Sequence, residues 1–203
     1  MTAAIAAVTV LVSLLILLTG NLPAAAIDGG FIPARAGAGS LADHGFALPA
    51  WLTPATATLV HGGVAHLLLN LVIMIFCGKQ VERALGGASI ALLYGIGAYA
   101  GALGHWAFSP GSILPMIGAS GAVSAIVAAY ALLFGERRTR AIGPFSADVL
   151  HVAWLAAAWI GIQLLMGVAG FAGASVAIGA HIGGFAAGLV LTRPLLRWHY
   201  RHA

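Results

Sequence analysis

Long apolar runs separated by short basic clusters constrain this chain more than any other feature. Six such runs span about 3–19, 57–77, 87–108, 117–135, 149–168 and 176–194, each near the ~20 residues that a bilayer core asks of a helix. Of 203 residues, 61% are hydrophobic and 7% charged, too little charge to clothe a soluble globule of that size. The alternating ten-residue segments of a membrane β-barrel are missing from the sequence. The pattern predicts an all-α, polytopic membrane protein, a bundle of six transmembrane helices in a single membrane domain over residues 1–203.

The basic residues set the expected orientation. Lys79 and Arg83 follow the second run, Arg137, Arg138 and Arg140 the fourth, and Arg193, Arg197 and Arg201 the sixth. Arg35 alone sits in the long first loop, about 20–56, and the loops near 109–116 and 169–175 carry no charge. The positive-inside rule then puts both termini in the cytoplasm and the 20–56 loop outside, where Phe31, Phe46, Leu48 and Trp51 suit the membrane interface. The sequence pI near 9.8 reflects this topology, and no nucleic-acid partner is expected. "LPAAA" at 22–26 has the look of a signal-peptide cleavage site, but no Lys or Arg precedes the first run, which favours a retained helix. The one cysteine, Cys77, allows no intrachain disulfide and reads as a small core residue.

Small residues recur at fourfold spacing: Gly97 and Gly101, Gly121 and Ala125, Gly184 and Gly188. Such faces let backbones approach closely in lipid. The fourth and sixth spans are therefore expected to bring short side chains into contact.

Polar groups inside the spans are few, and each needs a partner. They are His61, His66 and Asn70 in "HGGVAHLLLN", then His105, Ser120, Ser124, His151, Gln163, and His181 in "GAHIGG". All five acids (Asp28, Asp43, Glu82, Glu136 and Asp148) fall in loops or at span ends. That excludes a paired-aspartate protease and a pump built on buried acids; no HExxH zinc motif is present either. A Ser-His-Asp triad cannot be completed within the spans, but a Ser-His dyad can.

Ser120 lies in "GASG", at the start of the fourth span, where unpaired N–H groups and the helix dipole favour a developing negative charge. Gly118 and Gly121 flank it and permit close backbone approach. His66 and Asn70, four apart, share one helical face and can both donate hydrogen bonds, to an oxyanion or across to a neighbouring helix. His61 lies off that face and reads as a residue that pins a loop. By topology His66, Ser120 and His181 reach one level below the outer surface. A metal site of His61, His66 and His181 is the alternative, and it leaves Ser120 and Asn70 without a role.

"HGGVAHLLLN", "GASG" and "GAHIGG", in that order on the second, fourth and sixth spans, resemble the rhomboid family of intramembrane serine proteases, as does "ERALG" at 82–86. The likeness covers about 50–195 and implies a six-helix rhomboid-like bundle that cuts transmembrane segments of other proteins in the lipid bilayer, without cofactor or metal. Carried over by motif, Ser120 is the nucleophile and His181 the general base. His66, Asn70 and the Ser120 amide form the oxyanion hole, with Gly118, Gly121 and His61 in support. The likeness also makes the fifth span, with Trp154 and Trp159, a gate.

Two departures stand out. Arg35 has no adjacent Trp, unlike the Trp-Arg pair of many rhomboids. Ser124 replaces an aromatic residue that in many rhomboids packs on the histidine, so a hydrogen bond is expected to hold His181 instead. The competing readings are a rhomboid-like protein that only binds membrane clients, and a small transporter, which the one-sided placement of the polar groups disfavours. The short chain suggests a prokaryotic inner membrane.

Overall fold

The computed structural model describes residues 1–36, 45–135, 141–168 and 177–201, leaving aside the side chains of 162–168. Asp43, Glu136, Arg137, Arg138, Arg140, the 169–175 loop and the side chain of Gln163 lie outside the described residues. The described chain is helical and holds no strand beyond isolated bridges. Helix α1 spans Thr2–Leu18 and α2 Leu22–Gly29. After a short α3, Thr53–Thr56, come α4 (Val64–Leu85), α5 (Gly87–Phe108), α6 (Ser120–Phe134), α7 (Ala147–Val168) and α8 (Ile178–His199). Two of these, α4 and α5, are by themselves long and apolar enough to cross a membrane.

The helices are apolar on the outside. α1 buries Thr2, Ala6, Thr9 and Ser13 and exposes Leu11, Leu15 and Leu18. That is the reverse of a water-soluble helix and suits a surface in contact with hydrocarbon. Leu68, Val72, Phe76, Leu103, Phe108 and Val190 face outward in the same way. The first turn of α1 is tied to α4 through Glu82, whose carboxylate accepts the Thr2 amide at 2.8 Å and also meets the terminal ammonium. One large core cluster, with Val81, Leu85, Ile90, Leu93, Ile126 and Leu195, joins α4, α5, α6 and α8.

At the centre, α5, α6 and α8 meet backbone to backbone. A methyl placed on Gly184 would lie 1.9 Å from the Gly121 carbonyl oxygen, and one on Gly188 2.2 Å from that of Ala125. Methyls on Gly104 and Gly183 would lie 2.2 Å from the carbonyl oxygens of Gly179 and Ala100. The fourfold spacing read from the sequence thus becomes direct contact between the fourth and sixth apolar segments. In lipid there is little hydrophobic drive between helices, so this close packing supplies the attraction.

The second apolar run divides. Residues 53–59 form short helical turns, and the continuous helix α4 starts only at Val64 but runs on to Leu85. His61, Gly62 and Gly63 make an irregular link between the two parts. The outer loop is stitched to the segment before α6: Phe31 and Met116 exchange backbone hydrogen bonds of 2.9 and 2.8 Å, and the Ala34 amide donates to Ser112 O at 3.0 Å. Arg35 is buried in this loop; its guanidinium donates to Leu48 O at 2.6 Å and lies 3.8 Å over the Phe46 ring. An arginine without a neighbouring Trp therefore binds the loop to itself.

Candidate active site

Ser120 is the first residue of α6. The chain reaches it through Gly118, whose φ of +109° is a conformation side chains rarely adopt and whose amide donates to Ala57 O at 2.9 Å. His181 stands in the first turn of α8. The close seam at Gly121 and Gly184 carries these two turns together, and His181 Nε2 lies 2.8 Å from Ser120 Oγ. Both residues are half-buried. The backbone N–H groups at the head of α6 have no acceptor within their own helix, so they point at any charge formed beside Ser120.

His66, in the first turn of α4, faces the same spot. A methyl on Gly118 would lie 2.6 Å from His66 Cε1 and 2.7 Å from its Nε2, so the imidazole fills the space that a side chain at 118 would need. Its Nδ1 receives the Gly62 amide at 3.4 Å. Asn70 is buried one turn further on, and its Nδ2 donates to His66 O at 2.9 Å, leaving the second amide hydrogen to be placed. The N-terminal ends of α4, α6 and α8 thus converge, with the His66 and His181 imidazoles, the Ser120 hydroxyl and the backbone around Gly118 close together.

His61 is fully buried, with its ring centroid 5.0 Å from that of His66. It pins more than a loop. Its Nδ1 lies 2.9 Å from Ser13 Oγ on α1, and its Nε2 receives the Ala119 amide at 3.4 Å. Gly121 packs on Gly101 and Ala180. Among the described residues, no group of three His, Cys, Asp or Glu side chains is arranged to share a metal ion.

Ser124, which stands where many rhomboids have an aromatic residue, is buried. Its hydroxyl donates to Ser120 O, one turn back on its own helix, at 2.7 Å. A short hydroxyl on a helix finds the i−4 carbonyl nearer than a partner on another helix. A contact to His181 comes from α7: Trp159 Nε1 donates to His181 O at 3.4 Å, and its ring stacks on Phe185 at 5.1 Å. Trp154 is exposed. His105 is half-buried in α5, and His151 is buried on α7 beside Gly135.

The contact of Ser13 with His61 is one that the sequence reading does not single out. The signal was there: Thr2, Ala6, Thr9 and Ser13 follow helical spacing and mark a small, polar stripe on an otherwise greasy segment.

Comparison with known proteins bears on this geometry. The profile of the rhomboid domain matches residues 49–198. RHOMBOID-like protein 4 of Arabidopsis thaliana is 37% identical over 147 residues, covering 70% of this chain and 33% of the relative. RHOMBOID-like protein 1 of the same plant is 31% identical over 136 residues, covering 67% and 32%. Rhomboid protease GluP of Bacillus subtilis is 27% identical over 138 residues, covering 68% and 25%. The aligned part of the chain spans a third or less of the length of these relatives. The domain match takes in all three polar motifs and the helices that carry them, and on it the chain belongs to the rhomboid family of membrane proteins.

Proposed function

We propose that this chain is an intramembrane serine protease that hydrolyses peptide bonds in or near the transmembrane segments of other proteins. The observation that carries this reading is the 2.8 Å approach of His181 Nε2 to Ser120 Oγ. It has the geometry of a nucleophile and its base. In the reaction the Ser120 hydroxyl gives its proton to His181 as Oγ attacks the substrate carbonyl. The oxyanion takes hydrogen bonds from His66, Asn70 and the Ser120 amide. His181 then protonates the departing amine, and water, activated by the same imidazole, releases the acyl group from Ser120. Gly118 and Gly121 shape the turn, and His61 supports it. No cofactor or metal takes part.

Hydrolysis in a membrane needs a wet hollow, and the substrate helix must unwind before its carbonyls are exposed. Substrates with helix-weakening Gly or Pro near the cut are the expected class. The apolar segments are read as six spans of one membrane domain, with both termini cytoplasmic, the site toward the outer face, and a prokaryotic inner membrane as the setting. α7 is read as the gate.

A fluorophosphonate probe, with the labelled residue assigned by mass spectrometry, tests the reading in liposomes. Label on Ser120, lost in Ser120→Ala and His181→Ala together with cleavage of a transmembrane substrate, supports it. Undiminished cleavage by either variant overturns it. A relative that only binds clients leaves the probe unreacted.

A further inference from the structure

We propose that Ser13 of α1 is a positioning residue for the turn that carries Ser120, and that it acts by fixing the tautomer of His61. Only one proton arrangement satisfies the contacts on both sides of the ring at once. Ser13 Oγ lies 2.8 Å from Leu59 O, a pure acceptor, so its single hydrogen goes there. The 2.9 Å contact between Ser13 Oγ and His61 Nδ1 is then a bond only if Nδ1 carries the hydrogen. At the other side of the ring, the Ala119 amide points its hydrogen at His61 Nε2, which must be bare to accept it.

The result is one directed chain: Ala119 N–H to Nε2, Nδ1–H to the Ser13 hydroxyl, and that hydroxyl to Leu59 O. The reverse tautomer would set an N–H against the Ala119 N–H and leave two acceptors, Nδ1 and Leu59 O, competing for the one Ser13 hydrogen. Ser13, His61 and Ala119 are buried, so a broken link at either ring nitrogen costs an unpaired buried group. Ala119 precedes Ser120, and Gly118 on its other side lies against His66. A first helix outside the dyad thus holds the amide at the entrance to the nucleophile's turn. The effect on Ser120 rests on the protease reading; the tautomer does not.

The test uses the full chain in lipid nanodiscs with ¹⁵N-labelled histidine. The His61 signal is assigned by its loss in His61→Gln. The expected spectrum has Nδ1 protonated and Nε2 bare. In Ser13→Ala the His61 resonances move toward the other tautomer, and fluorophosphonate labelling of Ser120 slows about tenfold, the order expected for one buried hydrogen bond. Ser13→Thr keeps the hydroxyl and restores both readings; threonines already stand at positions 2 and 9 of the same stripe. A protonated Nε2 in the parent chain overturns the proposal, and that result needs no variant to fold. So does a Ser13→Ala chain with unchanged spectrum and labelling. The expected tautomer in a chain that never labels at Ser120 supports the hydrogen-bond chain and removes the protease reading alone.

Discussion

Gly184 of α8 rests against the carbonyl oxygen of Gly121 in α6, so closely that a methyl on it would lie 1.9 Å away. This contact is one residue from Ser120 along α6 and three from His181 along α8. It sets the distance across which the hydroxyl and the imidazole meet.

Gly184→Ala should therefore separate the two helices. Overpacking of this kind costs about 1–3 kcal/mol, and here the obstacle is backbone that cannot turn aside. The expected outcome is a lower unfolding midpoint in detergent and lost fluorophosphonate labelling. Gly95→Ala is the control: nothing lies within 4 Å of the added methyl, and the helix should hold or gain up to about 1 kcal/mol.

Gly118→Ala meets two obstacles, the φ of +109° and the His66 ring 2.6 Å from the new methyl. The backbone strain alone is worth about 1–3 kcal/mol. Because the displaced group is a proposed oxyanion donor, cleavage in liposomes should fall at least about a hundredfold. Removing the ring by His66→Ala in the Gly118→Ala background should recover the part of the stability lost to the clash, leave the part lost to backbone strain, and not recover cleavage.

His66→Ala and Asn70→Ala should each lower kcat by about 10²-fold with little change in KM, if their bonds form mainly to the oxyanion. The check is initial-rate kinetics of a transmembrane substrate in liposomes. A pure KM effect from both would assign them to ground-state binding.

Ser124→Ala should cost about 1 kcal/mol or less and leave cleavage within about threefold, since the lost bond is an i−4 bond to Ser120 O. Ser124→Tyr should fare worse. The position is buried, so an aromatic ring there would have to displace its neighbours. Thermal unfolding and cleavage of both variants decide the point.

The sequence was most readable where a local signal coincided with a structural end. The third apolar run was bounded at 87–108, and α5 spans Gly87–Phe108, because Gly86, with φ +80°, breaks the chain on one side and Ser109-Pro110 on the other. The second run failed at its start. Residues 57–59 form a short turn and not the head of the helix, and that turn is held by contacts distant in sequence, such as Gly118 to Ala57. It failed at its end too, because α4 continues through the polar stretch to Leu85. His66, Asn70, Ser120 and His181 were legible because polar side chains are rare in such a chain. The partner of His61 was not, since a serine on a greasy helix carries no mark of which distant ring it meets.

Where α5, α6 and α8 touch, the alphabet of tolerated residues narrows to a single letter at Gly104, Gly183, Gly184 and Gly188. The outward rim, with Leu15, Val72 and Leu103, faces no such restriction and accepts any side chain that oil accepts. Divergence among descendants of this chain is thereby steered to its circumference, while the inner seam stays monotone.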